Sequence, residues 1–388
     1  MKTNAKNWQK VKLGELAELI PGFAFKSGDF SAMGTPVIKI RNIASGALTL
    51  ENLEYFAGDI KGLDKYKINK GDILVSMTGS HVSQWSSVVG KITRNNKDQV
   101  FLMNQRVGKI KPNLAKVDNN FLYYSLHNDV TTLNLANRAS GSANQANISP
   151  EIIKSLEIII PELDEQKNIA SIISAFDDRI EVNTKTVKTL EEMAQGIFKE
   201  WFVSKQGKEY SLLDIADFIN GGAFGRIINK NRKGLPLIKI AELNRGITEN
   251  SEWVDKEVAS KYMIQDGCLL FSWSGSVGIY IWDKGPGILN QHIFNVIPKI
   301  GFSLGFLYFL LKDKVRIFRH TAGAKATTMG HIKKEHLRDE SIFIPEGRDL
   351  NLFNVFYKQI INLKLENQKL AALRDLLLPK LMKGEIRV

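Results

Sequence analysis

The sequence predicts an α+β protein built from two homologous mixed α/β modules, each followed by a long amphipathic helix. Three observations carry this. One set of short motifs occurs twice in the same order. Within each copy, short glycine-bounded apolar runs alternate with patterns of helical spacing. After each copy an extended stretch keeps a heptad rhythm.

The repeat is explicit. LGELAELIPGFAF at 13–25 returns as LLDIADFINGGAF at 212–224, each passing a glycine (Gly22, Gly221) before Ala-Phe. GTPVIKI at 34–40 returns as GLPLIKI at 234–240, and KGDILVSMTGS at 70–80 as DGCLLFSWSGS at 266–276. MNQ at 103–105, FLYYSL at 121–126 and SLEIIIP at 155–161 return as LNQ at 289–291, FLYFLL at 306–311 and ESIFIP at 340–345. The IKI, DILVSM and CLLFSW runs read as strands. FLYYSLHNDV and FLYFLLKDKVRIF read as helices. Gly-Ser pairs at 79–80 and 275–276 mark turns, and the small polar stretches 138–147 and 321–330 read as loops.

The first long helix is expected after Pro161, with Glu162, Asp164 and Glu165 near the positive end of its dipole. Ile169, Ile173, Phe176, Ile180, Asn183, Val187, Leu190, Ala194, Ile197 and Trp201 then alternate in steps of four and three. At 1.5 Å per residue such a seam forms a rod of roughly 60 Å. The second helix is expected after Pro345, with Phe353, Phe356, Ile360, Leu363, Asn367 and Leu370 in step, then Leu373, Leu377 and Leu381 in a shifted phase. Pro379 should kink or end it. The expected packing residues are Ile173, Phe176, Ile180, Asn183, Leu190, Ile360, Leu363, Asn367 and Leu370. Asn183 and Asn367 hold equivalent seam positions, where a polar residue either fixes register or faces solvent at the edge of the stripe. The expected divisions are 1–160 and 206–344 for the modules, and 161–205 and 345–388 for the helices.

Composition bounds the partners. In 388 residues, 53 Lys+Arg against 41 Asp+Glu give a net charge of +12, and 44% of residues are apolar. That balance excludes a disordered or fibrous chain. No apolar run approaches the ~18 residues of a membrane span, and Met1–Lys12 has lysines but no apolar core, so no signal peptide is expected. Cys268 stands alone, which excludes an internal disulfide and a cysteine metal cage. The cytosol is the simplest compartment. Excess positive charge favours an anionic partner, either nucleic acid or an acidic protein surface. It is uneven: +3 over residues 1–203 and +9 over 204–388.

Two similar heads on a helical spacer suit a long periodic ligand such as duplex DNA. Lys312, Lys314, Arg316, Arg319, Lys325, Lys333 and Lys334, with Asp313 the one acid among them, form a candidate phosphate track; a solvated helix face explains them equally. The candidate contacts to DNA in the first module are Lys39, Arg41, Asn42, Ser80, Gln105, Arg106, Ser142, Asn144 and Gln145. In the second they are Lys239, Asn244, Arg245, Ser276, Gln291, His292, Lys325, Thr327, Thr328 and His331. Asn and Gln match adenine edges, and Ser and Thr contact bases or phosphates. Asn104 and Asn290, shared by the two copies, are expected to bond backbone. The places that differ, Arg106 against His292 and Arg41-Asn42 against Ala241-Glu242, are where two different targets would be encoded.

Catalytic signatures are missing. Ser86–Lys91 ends in Gly-Lys but lacks the other elements of a phosphate loop, and no GxGxxG follows a strand. No Asn-Pro-Pro or Asp-Pro-Pro run marks an amino-methyltransferase. His331 and His336 are spaced wrongly for a zinc pair on one helical face, and Cys268 reads as a small buried residue.

The sequence resembles the specificity (S) subunit of type I restriction-modification enzymes over nearly its whole length. The most specific stretches are IIIPELDEQKNIASIISAFDDRIEVNTKTVKTLEEMAQGIFKEWFV at 158–203, LENQKLAALRDLLLPKLMKGEIRV at 365–388, LLFSWSGSVGIYIWDKGPGILNQHIF at 269–294 and SGSANQANIS at 140–149. It departs from some relatives in having almost no segment ahead of the first module. The resemblance implies two target recognition domains separated by two long antiparallel coiled-coil helices in a pseudo-two-fold repeat. Each domain would read one half of a split double-stranded DNA site. Two methyltransferase subunits would bind around the helices, and restriction/translocase subunits would join through them, with no membrane contact. The chain itself would be non-catalytic and hold no cofactor or metal; S-adenosylmethionine, ATP and magnesium would sit on the partner subunits. Three alternatives stay open: a specificity subunit of a methylation-only system, a self-contained nuclease or methyltransferase, and a scaffold for acidic proteins.

Overall fold

The computed structural model describes residues 8–388 except 45, 81–88, 143–144, 203–205, 226, 256, 258–259 and 325–333; at 142, 260, 320–324 and 334 it describes backbone alone. The chain divides into two units, Met1–Asp178 with Ala372–Val388, and Arg179–Ala371.

In the first unit, the glycine-bounded aliphatic runs become short strands. Ala17–Pro21, Val107–Pro112, Ile73–Ser76 and Ile92–Arg94 form an antiparallel sheet in that order. A second sheet runs Phe30–Ser31, Glu54–Phe56, Thr35–Ile38, Phe101–Met103, Lys67–Ile68, with Thr35–Ile38 and Phe101–Met103 parallel. Gln9–Lys12 pairs with Glu157–Ile160, joining the two ends of the module. The second unit repeats this topology. Ala216–Asn220, Ile293–Pro298, Leu269–Ser272 and Gly278–Ile281 form one sheet, and Trp253–Val254, Leu235–Ile238, Gly287–Leu289 and Met263–Ile264 the other. Leu235–Ile238 and Gly287–Leu289 are again the parallel pair, and Lys208–Ser211 again meets the closing strand, Ser341–Ile344. The duplication is therefore one of strand order as well as of sequence.

The repeated glycine has a steric cause. Gly22 donates its N–H to Val107 O (2.9 Å), and a Cβ there would stand 2.1 Å from the carbonyl oxygen of Asn104. Gly221 donates to Ile293 O (3.1 Å), and its Cβ would stand 2.2 Å from Leu289 O. Only a residue without a side chain fits between these strands.

Three elements differ from expectation, the first being that 321–324, read as the start of a loop, are the end of the helix Leu304–Ala324. FLYYSLHNDV does not form one helix. Asn119–Leu126 ends at His127, whose ring nitrogen meets Ile92 O at 2.9 Å, and Asn128 caps a new helix, Asp129–Asn137, by accepting from Thr131 N. The second copy runs unbroken over Leu304–Ala324. The stretch 138–147, read as a loop, holds a hairpin: Ser140–Ser142 pairs with Gln145–Asn147, which pairs with Thr78–Gly79. Its small polar residues show no apolar alternation, so only the partner strand reveals it.

The long helices span Leu163–Phe202 and Asn351–Met382. In the first unit, Ile169, Ala170 and Ile173 enter the module core with Leu381, Phe121 and Ile158. In the second, Ala194 and Phe198 share a core with Phe353, Tyr357, Ile360, Phe306 and Phe271. There Asn183 meets Asn367 and Phe198 meets Phe353, so one helix ascends as the other descends: they are antiparallel. Pro379 does not end its helix, which runs to Met382. At an exposed position in the last turns, the missing N–H frees one carbonyl that water can satisfy.

Candidate nucleic-acid interface

The parallel strand pair brings the flagged turns of the first module together. Thr35–Ile38 and Phe101–Met103 end at the same edge, where Asn104 N donates to Ile38 O (3.1 Å). Lys39–Asn42 leaves one strand there and Asn104–Arg106 the other. Met77 N donates to Arg106 O (2.9 Å) and Met77 O accepts from Ile148 N (2.8 Å). Thr78 then pairs with Asn147, its Oγ1 donating to Asn147 Oδ1 at 2.8 Å. Ser80, Gln105, Arg106 and Gln145 thus belong to one continuous hydrogen-bonded edge, with Gln105, Arg106 and Gln145 exposed. Ser142 contributes backbone to the hairpin, and Asn144 lies outside the described residues. In the second module Asn290 N donates to Ile238 O (3.0 Å) and Trp273 N to His292 O (3.3 Å). Ser276 and Gln291 are exposed beside them. Lys325, Thr327, Thr328 and His331 lie outside the described residues.

Several flagged side chains are occupied within the fold. Asn42 is 1% exposed; its Oδ1 accepts from Lys39 N (3.1 Å) and its Nδ2 donates to Thr49 O and Glu51 O (3.2 and 3.1 Å). Glu242 does the same in the second copy, accepting from Lys239 N (3.0 Å) and from Ser251 Oγ (2.9 Å). The Asn42/Glu242 difference is therefore two versions of one helix cap, and the Asn42 amide, fully bonded inside the fold, has no group left to meet a base. Lys39 pairs with Glu54 and Lys239 with Glu252 (2.6 Å), the same ion pair in both copies. Arg41 also bonds Glu54 (2.6 Å) and Asn52 O (2.7 Å). The donating Lys39 ammonium, with Arg41 beside it, holds the Glu54 carboxyl below its usual range.

Three residues of the candidate phosphate track are engaged within the fold. Lys312 pairs with Glu191 (2.8 Å) and Lys314 with Glu340 (2.7 Å), while Arg319 donates to Val277 O (2.9 Å). Arg316 is exposed, Lys325 and Lys333 lie outside the described residues, and nothing is described of the Lys334 side chain.

Other candidates are exposed or partly exposed. Arg106 is exposed, and among the described residues its guanidinium has no partner. Arg245 is exposed at the end of the short helix Ile240–Arg245, and Asn244 accepts from Tyr280 Oη at 3.0 Å. His292 lies against the Trp273 ring (5.6 Å between centroids), with Gln291 Nε2 3.3 Å from its Nε2. Asn104 and Asn290 each accept from the backbone N–H two residues on (3.4 Å), as expected of scaffold residues.

The helix seam has polar connections. Asn183 is 1% exposed, and its Nδ2 donates to Asn367 Oδ1 at 2.9 Å. Asn367 Nδ2 donates to Thr184 Oγ1 (3.3 Å), and Arg179 forks onto Glu366 beside them (2.9 and 3.4 Å). Asn183 is thus buried against Asn367, which is itself partly exposed.

In the first unit Asp177 accepts from Tyr124 Oη (2.6 Å) and Arg374 (2.7 Å), with Arg94 at 3.6 Å, itself stacked over Tyr123. In the second, Tyr308, which aligns with Tyr123 in the repeat, donates to Glu191 (2.5 Å), which also holds Lys312. Desolvation first, and the adjoining carboxylate second, push both phenols well above their ordinary value. Each module is thus fastened to a long helix by a tyrosine–carboxylate bond. Sequence reading missed this: the bonded tyrosines, Tyr124 and Tyr308, stand one place apart in the repeat, so the motif gave no signal. Asp177→Ala should destabilise the first unit by about 2 kcal/mol, because it strands a half-buried guanidinium and a phenol. Chemical denaturation should show Arg374→Ala costing clearly less in the Asp177→Ala background than alone. Additive losses would mean that the pair is not coupled.

Among the described residues no group of three His, Cys, Asp or Glu is placed to hold a metal ion, and no helix is long and apolar enough to cross a membrane. Cys268 is partly buried, and desolvation raises its thiol above the ordinary value.

Residues 5–192 and 205–373 match the family described as the type I restriction modification DNA specificity domain. The chain belongs to that family. It is 25% identical to the type I restriction enzyme HindI specificity subunit of Haemophilus influenzae, over 84% of this chain and 89% of that one. It is 26% identical to the MjaIX specificity subunit of Methanocaldococcus jannaschii, over 69% of each. A crystal structure of the type I restriction-modification S subunit from M. genitalium shares the fold over 98% of both chains, with a TM-score of 0.57 at 18% identity. As a type I specificity chain, the protein has a role in DNA recognition rather than catalysis. Its partners are DNA and the other subunits of a restriction-modification complex.

Proposed function

We propose that this type I specificity chain reads a split DNA target, residues 1–160 contacting one half-site and 206–344 the other. The helices, 161–205 and 345–388, then act as spacer and as the platform for two methyltransferase subunits, through which restriction/translocase subunits join. The complex works in the cytoplasm on double-stranded DNA. The observation that carries the reading is the duplicated edge: two modules of one strand order present equivalent, hydrogen-bonded turns whose outward side chains differ. Duplicate scaffold with unlike side chains is what reading two unlike half-sites requires. From the flagged residues we keep Ser80, Gln105, Arg106, Ser142, Asn144 and Gln145 as first-module contacts. In the second we keep Asn244, Arg245, Ser276, Gln291, His292, Lys325, Thr327, Thr328 and His331. Lys39, Arg41 and Lys239 act by shaping the edge.

Purified chain, incubated with DNA and S-adenosylmethionine, should transfer no methyl group; adding methyltransferase subunits should yield sequence-selective methylation. Transfer by the chain alone would overturn the proposal, and so would methylation without sequence preference in the assembled complex.

A further inference from the structure

Resting on the split-target reading, we propose that Arg106 reads a guanine of the first half-site through its O6 and N7. Three basic candidates stand at the first module's edge, and two are tied down within the fold: Lys39 and Arg41 share the Glu54 carboxylate. Arg106 is exposed, and among the described residues its guanidinium is unpaired. Its backbone, by contrast, is held on every side. Arg106 N donates to Asn104 Oδ1 (3.4 Å), Arg106 O accepts from Met77 N (2.9 Å), and Val107 N donates to Asn104 O (2.8 Å). Val107 O in turn accepts from Gly22 N (2.9 Å). The charge therefore projects from a pre-organised turn, which lowers the ordering cost of a directional contact.

The same turn recurs in the second module with different chemistry. His292 N meets Asn290 Oδ1 (3.4 Å), His292 O accepts from Trp273 N (3.3 Å), Ile293 N donates to Asn290 O (3.1 Å), and Ile293 O accepts from Gly221 N (3.1 Å). Backbone bonding is conserved between the copies while the side chain changes from guanidinium to imidazole. A phosphate-gripping position has no need to differ in this way, since both half-sites carry the same phosphates. A base-reading position does. The planar guanidinium fork matches the two acceptors that guanine presents in the major groove.

The test uses the chain assembled with methyltransferase subunits, S-adenosylmethionine and a DNA pool randomised across the first half-site, with the second half-site fixed. The wild type should require guanine at a base pair that Arg106→Gln makes tolerant. Discrimination there should fall about tenfold or more, with a gain for adenine, which suits a glutamine amide. Selectivity for the second half-site, measured in a matching pool, should be unchanged. A uniform loss across all sequences with a shallower salt dependence would make Arg106 a phosphate contact and overturn the assignment. An unchanged guanine requirement would overturn it too. A wild-type complex without sequence preference in either half would fail before any substitution is made, and would remove the underlying reading as well.

Discussion

Exchanging residues 1–160 for the matching module of another type I specificity chain should replace one half of the recognised target and leave the other half unchanged. The expectation follows from how the flagged side chains are supported. Among the described residues, the hydrogen bonds that hold the Gln105-Arg106 turn come from the first module: from Asn104, Met77 and Gly22. The Gln291-His292 turn is held by Gly222, Asn290 and Trp273 of the second. Each turn is held by bonds within its own copy, so the geometry of each should survive replacement of its counterpart. A wrong base pair in a specific site costs about 1–3 kcal/mol, roughly additively. A half-site of several pairs would therefore be exchanged almost completely. Methylation sequencing of DNA treated with the hybrid complex would report this. Altered specificity in both halves would contradict modular reading.

Gly22→Ala should be among the most damaging small substitutions in the first module, with a loss of about 3 kcal/mol or more in unfolding free energy. The new Cβ would lie 2.1 Å from Asn104 O. That oxygen cannot retreat cheaply, because Asn104 N is bonded to Ile38 O and Asn104 O itself accepts from Val107 N. The strain would fall on the turn that carries Arg106, so selectivity for the first half-site should weaken along with stability. Gly221→Ala should do the same in the second module. Gly28→Ala is the control: no atom stands within 4 Å of its would-be Cβ. Urea denaturation of the three variants would separate them; equal small losses at Gly22 and Gly28 would refute the close-approach argument.

These expectations also mark what was legible in the sequence. The repeat and the long helices were, because apolar periodicity is a local property that survives without knowledge of partners. The seam residues Ile173, Asn183 and Ile360 are indeed buried. That Asn183 meets Asn367 was not legible: equivalent positions of two antiparallel helices come together at one level only, which depends on how they cross. Lys39, Lys239, Lys312 and Lys314 looked like free cations because their partners, Glu54, Glu252, Glu191 and Glu340, come from other elements. Asn42 and Glu242 looked like a coding difference because capping is a matter of backbone geometry, in which a carboxylate and an amide oxygen serve alike. The convergence of the 78–80, 104–106 and 140–147 segments depended on strand pairing across long sequence separations, which composition does not encode.

The central claim is that one chain reads two separate half-sites. Methylation mapping of DNA exposed to the complex assembled on this chain tests it most directly. The predicted result is a single motif of two short specified blocks, different from each other and separated by an unspecified spacer of constant length. One contiguous motif, or two blocks whose separation varies freely, would contradict it.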